Sequence, residues 1–237
     1  MPQIMIVDIE TASGGEPTQT LAPFLPSIKG GRSKNPMEQV REAEENRKKA
    51  ISKHLLSPVS AKILCMGILI EKTSYDDYDE LEQTDTKNHF LYGDEKKILQ
   101  DFTALIKPNT FFVTFNGRGF DFKFLMFRAA IHKINLSLPT YPYNGRDGHF
   151  DLMVHLNEIS NLSMLYDYWK LIGLKKWIDY FGLPDPKPSI GKGEINLERL
   201  AADGEWKAIE EYQMGDVRNT YALWNIFKYN VKWSDKN

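Results

Sequence analysis

The chain has 237 residues, of which 42% are hydrophobic and 26% charged, and its formal net charge is −2. This length fits one large domain, and the small negative charge excludes a protein that coats nucleic acid by bulk positive charge. No apolar run approaches the roughly 20 residues needed to span a bilayer, and no signal-peptide pattern opens the chain, so we expect no membrane partner. Its single cysteine, Cys65, excludes an intrachain disulfide, and we expect a cytoplasmic location.

The first predicted element is a strand over about residues 3–9, and its nearly continuous apolar character is typical of a strand buried on both faces. Asp8 and Glu10 close this strand, and alternate strand residues point to the same side. Two acids there repel each other unless a cation lies between them, and a divalent metal is the simplest such cation. The Asp-x-Glu pattern occurs in many proteins, so its meaning depends on matching acids elsewhere.

The segment after this strand predicts an insertion. Residues 13–35 are rich in Gly, Pro and Ser, which is typical of a loop, and residues 36–56 predict a highly charged helix with Asn35 as its N-cap. We therefore expect a single domain over 1–237, with a helical insertion at about 13–60.

Strands and helices alternate over the rest of the chain. Apolar runs predict strands over 62–71, 89–92 and 111–115, whereas residues 72–88 are polar and turn-like. Helices are predicted after the N-cap Asp94 and over 121–133, 151–159, 163–170, 174–181 and 207–230. A mixed sheet with helices packed around it follows from this order, and we expect the α/β class in preference to α+β.

Two further acidic patterns lie in the second half of the chain. The strand over 111–115 is followed by Asn116-Gly117-Arg118-Gly119-Phe120-Asp121, whose glycines permit the close approach of a ligand. Asp121 begins the next helix, either as its N-cap or as a third carboxylate. Tyr212 and Asp216 are four residues apart on the last long helix and therefore share a face.

Together and in this order, the three motifs resemble those of the DEDD superfamily of 3′–5′ exonucleases. The four acids of that superfamily are matched here by Asp8, Glu10, Asp121 and Asp216. Tyr212, four residues before the last acid, is similar to the tyrosine branch, which includes the proofreading domains of family B DNA polymerases. The histidine branch would carry a histidine where this chain has Glu211.

Further stretches look like those of stand-alone proteins described as predicted 3′–5′ exonucleases related to family B polymerases. They are Leu56-Ser57-Pro58 leading into residues 62–67, residues 114–121, and His149-Phe150-Asp151-Leu152. The resemblance runs from about residue 3 to about residue 225. The chain departs from it at Gln213-Met214-Gly215, where a polar or acidic run would be expected beside the metal.

The resemblance implies an α/β, ribonuclease H-like fold with a mixed central sheet flanked by helices, and two Mg²⁺ or Mn²⁺ ions as cofactors for phosphodiester hydrolysis. Asp8 would bridge both ions. Glu10 and Asp216 would complete the site on the side of the nucleophile, and Asp121 would hold the second ion. Tyr212 would orient or deprotonate the attacking water. Orientation is the expected role unless the metals lower the pKa of the phenol, because an ordinary phenol is a poor base at neutral pH.

The resemblance also implies contacts to the bound strand. Thr11 would offer its backbone or hydroxyl to the terminal nucleotide, and Asn116 and Phe120 would lie near the strand. Phe120 is either a stacking surface or a core residue. Asp151 is expected to be a helix N-cap that follows a strand, and contact with the site is the alternative.

The leading interpretation is a metal-dependent 3′–5′ exonuclease that releases nucleoside monophosphates from the 3′ ends of single-stranded DNA. An exoribonuclease that trims RNA is an alternative, because the metal chemistry is indifferent to the sugar. Another alternative, from a different class, is a catalytically idle nucleic-acid-binding or scaffold protein with the same fold. The sequence does not predict any protein partner.

Overall fold

The computed structural model describes residues 3–13, 35–75, 82–139, 148–160, 172–184 and 197–228. These ranges contain strands and helices in the following chain order: β1 (Gln3–Ser13), α1 (Pro36–Leu55), β2 (Ala61–Tyr75), β3 (Glu82–Tyr92), α2 (Glu95–Leu105), β4 (Thr110–Thr114), α3 (Asp121–His132), β5 (His149–Asp151), α4 (Leu152–Ile159), α5 (Leu174–Tyr180), α6 (Leu197–Ala202) and α7 (Trp206–Phe227). Within them, no helix is both long and apolar enough to cross a membrane.

The strands form one five-stranded sheet in the order β3-β2-β1-β4-β5. The central strand, β1, pairs antiparallel with β2 and parallel with β4, while β5 pairs parallel with β4. The sheet is therefore mixed, and helices flank it. The predicted α/β class is confirmed, and the architecture is consistent with the ribonuclease H-like fold that the resemblance implied.

β1 contributes alternate residues to two hydrophobic cores on opposite faces of the sheet. Met5, Val7 and Ile9 pack in the core that includes residues of α2 and α3. Ile6 packs in the core that includes residues of α4, α5 and α7. Because side chains alternate along a strand, Asp8 and Glu10 follow Ile6 onto the α7 face.

A buried ion-pair network fixes the position of α3 against the sheet. Glu95, at the first position of α2, accepts hydrogen bonds from the backbone N–H of Ile63 on β2 and from Nε of Arg128 on α3, both at 2.8 Å. His132 also contacts the Glu95 carboxylate, at 2.7 Å. Because one side chain ties three elements together, the first residue of α3, Asp121, is held in a defined place relative to β2.

The β2–β3 hairpin is longer than the sequence predicted. Residues 72–88 were expected to be turn-like, but β2 continues to Tyr75 and β3 begins at Glu82, so that prediction is wrong for most of the interval; residues 76–81 lie outside the described ranges. The ladder runs from Cys65 opposite Tyr92 to Tyr75 opposite Glu82. Polar residues are accommodated because β3 is an edge strand with exposed side chains over residues 85–88.

Other predicted elements agree to within a few residues, which is the usual uncertainty of helix ends. Asn35 accepts a hydrogen bond from the Met37 N–H at 3.0 Å, and Asp94 accepts one from the Lys97 N–H at 2.9 Å, so both predicted N-caps are confirmed. The helix predicted over 163–170 and nearly all of the loop predicted over 13–35 lie outside the described residues. The helical insertion at about 13–60 stays a prediction.

Candidate active site

Three carboxylates converge between the central strand and the last helix described. Ligand oxygens of Asp8, Glu10 and Asp216 all lie within 4.8 Å of one another, and each residue is partly exposed. Asp8 and Glu10 come from β1, whereas Asp216 comes from the middle of α7. Oxygen atoms at this spacing are suited to share one hard divalent cation.

A glycine allows α7 to lie close enough to β1 for this convergence. Gly67 on β2 is the pairing partner of Asp8. A Cβ atom at Gly67 would lie 2.9 Å from Cγ2 of Val217 and 3.0 Å from Cγ of Gln213, both on α7. A side chain here would force its neighbours on α7 to shift, so the glycine lets the helix lie this close to the strand. The approach of α7 brings Asp216 to the acids of β1.

Asp121 reaches the same region from the other neighbour of β1. Its Oδ1 accepts a hydrogen bond from the backbone N–H of Ile9 at 3.1 Å, between Asp8 and Glu10 in the chain. The pairing of β1 with β4 ends at Ile6, so the carboxylate supplies an acceptor where β4 no longer does. Asp121 adjoins the cluster of Asp8, Glu10 and Asp216 without belonging to it.

The alternative role considered for Asp121, a helix N-cap, is wrong. Phe120 occupies the N-cap position of α3 and makes no side-chain capping hydrogen bond, and Asp121 is the first helical residue. Its carboxylate instead accepts the hydrogen bond from the Ile9 N–H on β1.

Two of the acids, Asp8 and Asp121, have raised pKa values. Burial raises the pKa of Asp8 well above its usual range, the carboxylates of Asp121, Glu10 and Asp216 raise it further, and a hydrogen bond from Gln213 lowers it. Burial also raises the pKa of Asp121 to about 7, against the lowering effect of the Ile9 N–H. The ionised forms of these carboxylates are therefore unfavourable in the metal-free protein, and a bound cation would stabilise them.

The loop before Asp121 is tightly wound. Asn116 has a φ of 71°, a left-handed conformation that non-glycine residues seldom adopt, and its backbone oxygen accepts a hydrogen bond from the Phe120 N–H at 2.9 Å. A Cβ at Gly119 would collide with the Asn116 side chain, and one at Gly117 with Thr114. Both glycines are therefore required by close contacts within the loop.

Asp151 fastens this loop to the neighbouring strand. Its two carboxylate oxygens accept hydrogen bonds from the backbone N–H groups of Asn116 and Arg118, both at 2.9 Å. The same side chain accepts from the Met153 N–H at 3.1 Å, so the predicted N-cap of α4 is confirmed. The hydrogen bonds from Asn116 and Arg118 to Asp151 were not predicted from the sequence, because they depend on the pairing of β5 with β4.

The remaining predicted residues border the acids. Tyr212 is partly exposed and lies one helical turn before Asp216 on α7. Thr11, also partly exposed, follows a register shift between Glu10 and Thr11 in the β1–β2 ladder. Phe120 packs against the α2–α3 core, with its ring centroid 5.6 Å from that of Phe124, and keeps some exposed surface. Its expected role in stacking on a base stays a prediction.

Sequence analysis did not predict a role for Gln213, which was noted only because residues 213–215 depart from the family pattern. Gln213 is fully buried, and its Nε2 donates hydrogen bonds to both the backbone oxygen and Oδ2 of Asp8. The spacing of 213 and 216 on one helix was the available signal, since residues three apart are neighbours on a helix surface.

The fold and the carboxylate cluster together fit a nuclease of the ribonuclease H-like class. Comparison with protein families gives the more specific assignment: the model of the family described as predicted 3′–5′ exonuclease related to the exonuclease domain of PolB matches residues 56–232. The match covers well over half of the chain, which therefore belongs to this family of hydrolases. No curated protein compared with the chain matches it significantly.

The matched range includes Asp121, Tyr212 and Asp216 but begins after β1. Asp8 and Glu10 therefore enter the candidate site through the fold, since the structure places them within 4.8 Å of Asp216. The family match and the geometry are in this respect independent observations.

Proposed function

We propose that this protein is a metal-dependent exonuclease that releases nucleoside monophosphates from the 3′ end of single-stranded DNA. The observation that carries the proposal is the convergence of Asp8, Glu10 and Asp216 in a member of the exonuclease family. A phosphodiester carries negative charge, so a cluster of carboxylates alone would repel it. Cations held by the acids would reverse the local charge and make the site attractive to the substrate.

The side chains present fit Mg²⁺ or Mn²⁺, which prefer hard oxygen ligands. The cluster consists of carboxylates only. Asp8, Glu10 and Asp216 would hold one ion, and Asp121 together with Asp8 would hold a second. Two such ions supply an activated water for attack on phosphorus and neutralise the charge that builds on the phosphate and the leaving oxygen.

Tyr212 would position the attacking water. It lies on the same face of α7 as Asp216, one turn away, so its hydroxyl can bond to a water at the carboxylate cluster. An oriented water attacks from a fixed direction, and orientation alone contributes substantially to rate.

A single strand end suits the partly exposed position of the acids between β1 and α7. Thr11 and Phe120 are both partly exposed and are neighbours of Glu10 and Asp121 in the chain, so we assign them contacts with the terminal nucleotides. Asn116, held in its left-handed conformation, would bond to the same strand. The second strand of a blunt duplex would collide with the surrounding elements, so we expect unpaired 3′ ends to be preferred.

The decisive experiment is the digestion of 5′-labelled DNA and RNA oligonucleotides, single- and double-stranded, with Mg²⁺, Mn²⁺ or EDTA. We expect a ladder of products that shortens from the 3′ end of single-stranded DNA, no reaction in EDTA, and resistance of a 3′-blocked substrate. Faster digestion of RNA would identify an exoribonuclease. Binding without digestion would indicate an idle nucleic-acid-binding protein, and cleavage of circular single strands would contradict exonuclease action.

A further inference from the structure

Gln213 makes an unusual pair of contacts with one catalytic-site acid. Its Nε2 donates to the backbone oxygen of Asp8 at 2.7 Å and to Asp8 Oδ2 at 2.9 Å. A backbone carbonyl can only accept, so the amide nitrogen rather than the amide oxygen must face Asp8. Both N–H bonds of the amide are then directed at a single residue, and the orientation of the side chain is fixed.

The amide is held on a rigid support. Gln213 is fully buried, and its Cγ lies at the point where α7 crosses Gly67, 3.0 Å from the position a Cβ would take there. Burial leaves the Gln213 side chain little room to change its rotamer. A donor fixed in this way restricts the rotation of the Asp8 side chain, which is what a hydrogen-bonding partner behind a metal ligand does.

Packing alone does not explain an amide at this position. The Oε1 atom of Gln213 is buried and has no hydrogen-bond partner among the residues that the structure describes. An unsatisfied buried acceptor costs folding free energy, and methionine, which is nearly the same size, would avoid that cost. Methionine would also leave Asp8 without its donor, so the contact with Asp8 is the feature that requires glutamine.

We propose that Gln213 is a positioning residue: it holds Oδ2 of Asp8 so that the remaining lone pairs of that carboxylate face the cation site shared with Glu10 and Asp216. The effect of Gln213 on catalysis rests on the proposed function. Its effect on metal binding can be measured separately. The positioning role accounts for the departure from the expected polar or acidic run, because a donor is needed here and an acid would repel Asp8.

The first measurement is a calorimetric titration of the wild type and the Gln213→Met and Gln213→Glu variants with Mn²⁺, after removal of metals with EDTA. Loss of a residue behind a metal ligand costs about ten- to a hundredfold in affinity or activity. We expect the Kd for Mn²⁺ to rise at least about tenfold in Gln213→Met. Gln213→Glu should bind more weakly still, because it places an acceptor against Oδ2.

The second measurement is the digestion of a 5′-labelled single-stranded oligonucleotide at saturating Mn²⁺. We expect kcat of Gln213→Met to fall about ten- to a hundredfold, with the KM for the oligonucleotide within about twofold of the wild type. Met214→Leu is the matched control: Met214 is the next buried residue on α7 and packs on Gly67, with Sδ 3.2 Å from the same Cβ position. Its Kd and kcat should stay within about twofold of the wild type.

The two measurements separate this inference from the proposed function. Unchanged Mn²⁺ affinity and unchanged kcat in a folded Gln213→Met variant would overturn the positioning role. Should the wild type degrade no oligonucleotide while Gln213→Met still binds Mn²⁺ at least tenfold more weakly, the positioning of Asp8 is supported and the exonuclease function is not. Equal weakening by Met214→Leu would show that α7 packing, not the amide, sets the metal affinity.

Discussion

Gly67 lies opposite Asp8 in the β1–β2 ladder, at the place where α7 crosses the sheet. The distance between the helix that carries Asp216 and the strand that carries Asp8 is therefore set by a missing side chain. This arrangement makes the geometry of the acids sensitive to a residue that has no functional group.

Gly67→Val should separate α7 from the sheet, because its side chain would overlap Val217 and Gln213. Overpacking of this kind costs about 1–3 kcal/mol of unfolding free energy. We expect a larger effect on activity than on stability, measured by oligonucleotide digestion and urea unfolding. Gly173→Ala is the control, since a Cβ there meets no atom within 4 Å. Wild-type turnover in a folded Gly67→Val variant would contradict the stated role of Gly67.

Asp8→Asn should abolish activity while the fold stays intact. Removing a carboxylate from a site that stabilises charge with metal ions costs several kcal/mol in the transition state, so we expect a loss of about a thousandfold or more. The metal-free protein should become more stable, because burial and three neighbouring carboxylates disfavour the charge on Asp8. Thermal unfolding in EDTA measures this gain. Asp85→Asn, at an exposed position of β3, is the control and should keep wild-type turnover. Near-normal turnover of Asp8→Asn would show that the site is misassigned.

On the proposed role of Tyr212, Tyr212→Phe should slow turnover by about ten- to a thousandfold and leave the Kd for Mn²⁺ nearly unchanged, because only the hydroxyl proposed to orient water is removed. Single-turnover digestion and metal titration measure the two quantities. Tyr180→Phe removes a hydroxyl from an exposed tyrosine on α5 and should have no effect. If both variants are as fast as the wild type, Tyr212 contributes packing only.

His149 should make the protein less stable in mild acid. Burial lowers its pKa from 6.5 to about 4, with a further contribution from the positive charge of Arg118, and its Nε2 lies 2.8 Å from Oγ1 of Thr114. Below pH 6.5 His149 is protonated in the unfolded chain, but in the folded protein it stays neutral until the pH approaches 4. Stability present above pH 6.5 is therefore lost as the pH falls toward 4.

The measurement for His149 is urea unfolding in EDTA at pH 8 and pH 5. Between these values the wild type should lose about 2 kcal/mol more than His149→Gln, which cannot titrate. Comparing the two proteins removes the opposite contribution of the carboxylates, whose raised pKa values favour the folded state in acid. Identical pH dependence in the two proteins would mean that His149 is accessible to protons when folded.

Local regularities were enough to predict much of the site. The period of two in a strand placed Asp8 and Glu10 on one face, and the spacing of four on a helix placed Tyr212 and Asp216 together. The N-cap Asp94 followed from the residue type at the start of an apolar helical pattern. Each of these features depends on neighbours within a few residues.

The features that escaped prediction depend on distant neighbours. The contact of Asp121 with Ile9 depends on where the β1–β4 ladder ends. The contact of Gln213 with Asp8 exists only because α7 crosses the sheet at a glycine. The polar strand β3 is held by its pairing with β2, and its own residues carry no strand pattern before His89.

The contact between Asp8 and Gln213 joins residues that are 205 positions apart in the chain. During synthesis, β1 leaves the ribosome early, and at about 5–20 residues per second α7 follows on the order of ten to forty seconds later. Until α7 has been synthesised, Asp216 is missing from the site formed with Asp8, Glu10 and Asp121. On the proposed assignment, the nascent chain cannot degrade single-stranded DNA while it is still being translated.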